Sequence, residues 1–241
     1  MKRIAMGALS LFIMIGCSRQ PVKPAASAAT AYGTAIVETS GGKQIASAGA
    51  ALDQPVVVQV NDAQGNGVTG AYVEVHAGSG VMLDPAAGLT DSSGQFTAKV
   101  ALGGVAGRYQ LTAITHDKGG KNYELKLEEI ALDYQQVLGR QINQQYCSRC
   151  HDPESTPVRV SNMDNLATKP QAFTDGETLN KISDADLTAI ISHGGAALNT
   201  SAEMPPYGYT LSKTDIQALL SYIRAVADPP LPAKGMVYAK N

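Results

Sequence analysis

The chain has 241 residues, a formal net charge of −2, 44% hydrophobic residues and no tryptophan. This length allows two modest domains. The balanced charge offers no broad basic surface to a polyanion, so we expect no nucleic-acid partner. The three cysteines are Cys17, Cys147 and Cys150. Each has a predicted covalent role, which leaves none for a structural disulfide.

The first 17 residues predict an export signal. A positively charged start precedes an apolar run at 4–15 that is too short to span a bilayer. The run includes Met14 near its end and is followed by Gly16 and Cys17. This pattern resembles the lipobox of bacterial lipoproteins, with Met14 where leucine is usual. The resemblance implies a lipidated Cys17 and a membrane anchor in the cell envelope, and Ser18 points to the outer membrane, on its periplasmic or surface side. The alternative is an ordinary cleaved signal with an incidental cysteine.

Residues 18–31 predict a flexible tether. The segment is rich in Pro, Ala, Ser and Thr and has no apolar periodicity. Such a composition does not bury a core, so the segment would simply connect the lipid to the first folded domain.

Residues 32–131 show the two-residue alternation of half-buried β-strands. Alternating runs occupy 56–60, 72–76, 96–100 and 109–113, and Gly, Asn and Asp separate them. This spacing predicts an antiparallel sandwich of about seven strands.

The order of these strands and turns resembles the bacterial Ig-like domains of intimin and invasin type. The resemblance covers 54–115 and includes the turns at 62–66 and 91–94 and the segment 106–109. It implies a spacer or a binding module without catalysis. The aspartates near turns are candidate calcium ligands, but they lack the alternating ligand loop of a calcium motif, so we interpret them as turn residues: Asp53, Asp62, Asp91 and Asp117.

After residue 131 the hydrophobic period becomes helical. One predicted helix runs from the N-cap Asp133 to the paired cysteines. A second begins after Ser183 and stops at Gly194, and a third begins after Ser212 and ends before Pro229. We assign 132–228 to an all-α domain and 229–241 to a C-terminal tail.

A C-x-x-C-H motif follows the first of these helices. Cys147 and Cys150 are spaced to bond the two vinyl groups of one haem, and His151 can then coordinate the iron. A C-x-x-C pair alone would leave zinc or thiol redox chemistry open, but the adjacent histidine favours haem. We therefore predict one covalent haem c, with His151 as the proximal iron ligand. Export agrees with this, because bacteria attach haem to this motif outside the cytoplasm.

Residues 133–227 resemble the class I cytochrome c family. Gly139 matches the small residue at which the first and last helices cross, and Tyr222 matches the aromatic residue that packs there. Met204, in a Met-Pro step before the last helix, matches the distal iron ligand. Asn143 stands where an aromatic residue is common, and Tyr146 could compensate. The resemblance implies electron transfer by a haem with His151 and Met204 as axial ligands.

Three residues are candidates for the distal position. Pro205 and Pro206 favour an extended Met204, which suits a ligand on a rigid loop. Met163 lies in a polar stretch and is expected to cover a haem edge. His193 would bind iron more strongly than methionine if it reached the iron.

Residues around the haem have further predicted roles. Pro153 and Pro157 are the candidates for the carbonyl that orients the His151 imidazole. Residues expected to tune docking at the haem edge are Arg149, Tyr207 and Tyr209.

The predicted function is one-electron transfer to a redox protein that the sequence does not identify. With His151 and Met204 both bound, the iron cannot take up oxygen or peroxide without losing a ligand, which argues against an enzyme. The alternatives are a haem peroxidase, a haem-bearing subunit of a larger oxidoreductase, and an adhesin or sensor lipoprotein whose Ig-like module binds a ligand.

Overall fold

The computed structural model describes residues 29, 31–154 and 159–231. The predicted signal with Cys17, most of the predicted tether, Pro157 and the chain from 232 onward lie outside the described residues. None of the helices in the described part is long and apolar enough to cross a bilayer.

Nine strands precede the helices in the part of the chain that the structure describes. The strands are β1 Ala35–Ser40, β2 Ile45–Ser47, β3 Val56–Asn61, β4 Tyr72–Ala77, β5 Met82–Asp84, β6 Ala87–Leu89, β7 Gln95–Ala101, β8 Gly107–His116 and β9 Asn122–Leu132. The α-helices are α1 Tyr134–Ile142, α2 Ser148–His151, α3 Gly176–Leu179, α4 Asp184–His193 and α5 Lys213–Val226. The predicted order, a β-rich region followed by a helical region, is confirmed.

The strands form two sheets that share one buried cluster. One sheet has the order β1-β3-β7-β5, and the other has the order β2-β9-β8-β4-β6. Neighbouring strands are antiparallel except β2 and β9. Alternate residues of both sheets turn inward, as Val56 and Val58 of β3 and Val73 and Val75 of β4 do. The two-residue alternation in the sequence therefore reflects one apolar face per strand.

Three aspartates close tight turns with their own carboxylates. Asp62 accepts the backbone N–H groups of the residues two and four positions ahead, and Asp91 and Asp117 do the same. These hydrogen bonds lower the pKa of Asp62 and of Asp117. The geometry supports the interpretation of these aspartates as turn residues.

The chain enters and leaves the β-rich region at opposite ends. Near the entry, the Tyr32 ring packs edge-on against His116, at the end of β8. At the exit, Leu132 pairs with Ser47 of β2 at the far end of β9. Because β9 has 11 residues, the two ends are separated by roughly 33 Å.

The helices begin where local capping chemistry predicts. Asp133 and Gln136 form a capping box at the start of α1, and Ser212 and Asp215 form another at the start of α5. Ser183 caps α4. Each cap satisfies N–H groups that a helix start leaves free.

Helices α1 and α5 cross at Gly139. A Cβ atom at this position would collide with the Ala218 carbonyl oxygen and would lie 2.7 Å from the Tyr222 Cβ. Tyr222 is buried at the same crossing. The predicted roles of Gly139 and Tyr222 in helix packing agree with this geometry.

The helical region packs on the end of the β-rich region. Leu132, Tyr222 and Val226 form a buried cluster with Ile45 and Val137 around it.

Two arginines bridge the same junction. Arg140 of α1 donates to the Ile45 carbonyl at 2.8 Å. Arg108 of β8 donates to the Ala227 carbonyl at 2.6 Å and forms an ion pair with Glu128. Because the Ala227 carbonyl lies at the negative end of α5, the Arg108 charge stabilises that end.

Candidate functional site

One apolar cavity brings together the four residues that the sequence assigns to a haem. Its volume is about 400 Å³, and Cys147, Cys150, His151 and Met204 all line it. Helices α4 and α5 supply apolar walls, and two loops, 166–173 and 200–207, border it. Apolar residues that line it include Phe173, Leu179, Leu187, Ile191, Leu219 and Ile223.

A π-helical turn carries the chain from α1 into the C-x-x-C-H motif. Residues Asn143–Cys147 form this turn, and the Ser148 N–H bonds to the Asn143 carbonyl five residues back. A π-turn places one extra residue in the turn, which changes the direction of the side chains that follow it. Asn143, at the position where an aromatic residue is common in the family it resembles, is buried, and Tyr146 lines the cavity.

The two thiols are free, and Cys147 is buried. Burial, with a smaller contribution from Cys150, raises the pKa of Cys147 to about 12. Cys147 is therefore a neutral thiol at physiological pH, which is unlike the low-pKa thiolate of a redox-active C-x-x-C pair. In the described part of the chain, no group of three or more His, Cys, Asp and Glu side chains is arranged to hold a metal ion.

His151 is held by a backbone carbonyl and an aromatic ring. Its Nδ1 lies 2.7 Å from the Gln171 carbonyl oxygen, and its ring stacks on Phe173 with centroids 4.6 Å apart. A carbonyl only accepts, so Nδ1 donates the proton and Nε2 keeps its lone pair. Burial lowers the pKa of His151, which favours this neutral form. A neutral imidazole fixed through one nitrogen is the form that binds a metal through the other.

The orienting carbonyl belongs to neither proline that the sequence suggested. Gln171 lies 20 residues beyond His151, whereas Pro153 follows it closely and Pro157 lies outside the described residues. A loop folds back to supply this carbonyl, and sequence spacing gave no direct signal for it. Pro170, which fixes the backbone just before Gln171, was the one local sign of a rigid loop.

The loop that carries Met204 is packed tightly against the end of α4. The Met204 carbonyl accepts the Gly195 N–H at 3.1 Å. Gly194 has a φ of +82°, and a Cβ there would lie 2.8 Å from the Met204 carbonyl oxygen. Glycine at 194 is therefore needed both for its conformation and for the space.

The other candidates for the distal position do not line the cavity. Met163 is buried beside the motif, and His193 is exposed at the end of α4. Of the predicted edge residues, Arg149 and Tyr209 are exposed. Tyr207 lines the cavity and donates from its hydroxyl to the Tyr146 carbonyl at 3.0 Å.

The cavity fits a covalently bound haem. Two free thiols, an imidazole with an available nitrogen and a thioether meet around an apolar space. These are the anchors and axial ligands that a c-type haem uses, and the walls have the apolar character that a haem requires.

The helical half of the chain is a cytochrome c domain, as the sequence predicted, and such a domain indicates haem-based electron transfer. Residues 135–223 match the family described as cytochrome C oxidase, cbb3-type, subunit III. No curated protein matches the chain.

Solved structures similar to this chain include intimin, invasin and a bacterial adhesin. The D00-D0 domain of intimin is 20% identical with a TM-score of 0.31, and the match covers 42% of this chain and 46% of the intimin chain. Invasin, a bacterial integrin-binding protein, is 17% identical with a TM-score of 0.31, and the match covers 41% of this chain and 19% of the invasin chain. The Yersinia pseudotuberculosis adhesin InvE is 15% identical with a TM-score of 0.32, and the match covers 41% of this chain and 32% of the adhesin chain. The chain spans less than half the length of each.

Proposed function

We propose that the protein is a monohaem c-type cytochrome that is anchored to the membrane as a lipoprotein and transfers single electrons to a redox protein. The convergence of Cys147, Cys150, His151 and Met204 on one apolar cavity carries this proposal. A haem bound there supplies one-electron chemistry at its iron.

Each residue of the cavity has a defined task in this function. Cys147 and Cys150 would hold the haem through thioethers, and His151 would bind iron through Nε2 while Nδ1 stays bonded to Gln171. Met204 would supply a thioether sulfur, which raises the reduction potential relative to a second histidine. The apolar walls exclude water, and a low local dielectric further disfavours the more highly charged ferric state.

Optical spectroscopy of the purified protein tests the axial ligands. We expect the oxidised protein to show the weak long-wavelength sulfur-to-iron band, and Met204→Ala to lose it and to bind carbon monoxide when reduced. Met163→Ala is the matched control and should keep the band, because Met163 does not line the cavity. A wild-type protein without the band would show that Met204 does not bind the iron.

The lipid anchor and the spacer role of the β-rich region form the second part of the proposal. They are supported by the signal pattern that ends at Cys17 and by the separation of roughly 33 Å between the ends of the β-rich region. The anchor would place this cytochrome in the cell envelope, at the outer membrane. Fractionation of cells that produce the wild type or Cys17→Ala should find the red protein with membranes only in the first case.

A haem-bearing subunit of a larger oxidoreductase is the second candidate. The description of the matching family, subunit III of a cbb3-type oxidase, favours it. Gentle detergent extraction followed by sizing would distinguish the two: a subunit elutes with partner chains in fixed ratio, and a free carrier elutes at the size of this chain.

A further inference from the structure

Glu203, the residue before Met204, joins the two loops that border the cavity. Its carboxylate accepts the Thr168 N–H at 3.1 Å and the Ala167 N–H at 3.4 Å. Ser201 contributes from the same loop as Glu203: its hydroxyl donates to the carboxylate at 3.4 Å and accepts the Glu203 N–H at 3.1 Å. One side chain thus connects segments that are 35 residues apart in the sequence.

One of the two connected loops contains Met204, and the other supplies the carbonyl that fixes His151. Thr168 belongs to the loop that continues to Gln171, whose carbonyl fixes His151. Glu203 is covalently next to Met204, and both Glu203 and Thr168 line the cavity. A separation of the loops would therefore loosen the Met204 backbone on the side where Glu203 holds it. On the other side, the bond between the Met204 carbonyl and Gly195 would remain.

We propose that Glu203 is a latch, a side chain that joins the loops 166–173 and 200–207, and that it thereby positions Met204 for ligation. This inference rests on the proposed function. Glu203 acts through the backbone and is a positioning residue. The latch uses both carboxylate oxygens as acceptors, so a glutamine, which keeps one carbonyl oxygen, should retain part of it.

Competition by imidazole for the ferric iron of the purified full-length holoprotein measures how firmly Met204 is held. Free imidazole can bind only after the thioether leaves, and the long-wavelength band reports that step. We expect Glu203→Ala to bind imidazole about fivefold more tightly than the wild type, the effect of losing net hydrogen bonding of this kind. Glu203→Gln should fall between the two. Glu177→Ala is the control, because Glu177 is an exposed carboxylate on α3 that does not line the cavity.

The outcomes separate the latch from the proposed function. If the wild type shows the band and Glu203→Ala binds imidazole no better than Glu177→Ala, the latch is wrong and the axial ligation stands. If the wild type lacks the band, the ligation by Met204 is wrong and the latch is rejected with it. Should Glu203→Ala fail to mature, the Glu203→Gln variant decides: an affinity for imidazole above that of the wild type supports the latch, and an equal affinity rejects it.

Discussion

Glu129 is a buried carboxyl group on the inward face of β9. It is fully buried, and its Oε2 accepts the Gln44 N–H at 2.6 Å while Oε1 has no hydrogen-bond partner. Burial raises the pKa of Glu129 to about 7, with Glu38 and Glu128 adding to the effect. The Glu129 carboxyl group is therefore protonated more readily in the folded protein than in the unfolded chain.

The pH dependence of stability follows from this pKa. Between the ordinary pKa of 4.5 and about 7, the folded state binds more protons than the unfolded state, so the free energy of unfolding falls as pH rises through that window. The loss reaches at most about 3 kcal/mol above pH 7. Glu129→Gln should remove this fall when denaturant unfolding is measured at pH 5 and pH 8. Glu124→Gln, exposed on the same strand, should keep it, and a wild type equally stable at both values would contradict the prediction.

The crossing of α1 and α5 depends on the absence of a side chain at Gly139. Even a methyl group there would collide with backbone, as described above, and the helices would have to move apart. Tyr222 would lose packing in the same movement. The close approach of α1 and α5 therefore fixes α1, the helix that leads into the C-x-x-C-H motif.

Gly139→Ala should destabilise the helical region by about 1–3 kcal/mol, since overpacking at a backbone contact outweighs the gain in helix propensity. Denaturant unfolding followed by helical circular dichroism measures the change. Gly104→Ala is the control, because a Cβ at Gly104 meets no atom within 4 Å. Equal stability of the two variants would show that the crossing is not tight.

Local patterns in the sequence predicted much of these elements, and long-range contacts account for what was missed. Caps such as Asp133 and Ser212 were predictable because capping involves residues three positions apart. The short strands β2, β5 and β6 have three residues each, too few to show alternation, so about seven strands were expected rather than the nine described. The Gln171 carbonyl and the Glu203 contacts join distant loops, and their partners cannot be read from spacing.

At the scale of the whole molecule, the two regions share a junction that contains charge and apolar contact together. Arg108 and Arg140 each donate across it to backbone carbonyl groups, and the apolar cluster around Tyr222 belongs to the same junction. Such an interface couples the unfolding of the two regions, because opening it exposes the apolar cluster to water and breaks the arginine hydrogen bonds.

Removal of both arginines should uncouple the regions. We expect the wild type to lose haem-pocket absorbance and sheet structure in one thermal transition, and Arg108→Ala/Arg140→Ala to lose them in two. Arg149→Ala provides the control, since Arg149 is exposed beside the motif and takes no part in the junction. A single transition in the double variant would mean that the apolar cluster alone couples the regions.

Helix α5 packs against the rest of the molecule on two sides. Leu219 and Ile223 line the cavity, whereas Tyr222 and Val226 pack toward the β-rich region. No residue from 218 to 226 is exposed. A change in packing on one side of this stretch therefore affects the packing on the other side. A larger side chain at Val226, introduced to strengthen the packing on the β-rich region, should therefore shift the absorbance maximum of a haem bound in the cavity. A smaller side chain at Ile223 should in turn make the packing on the β-rich region less rigid.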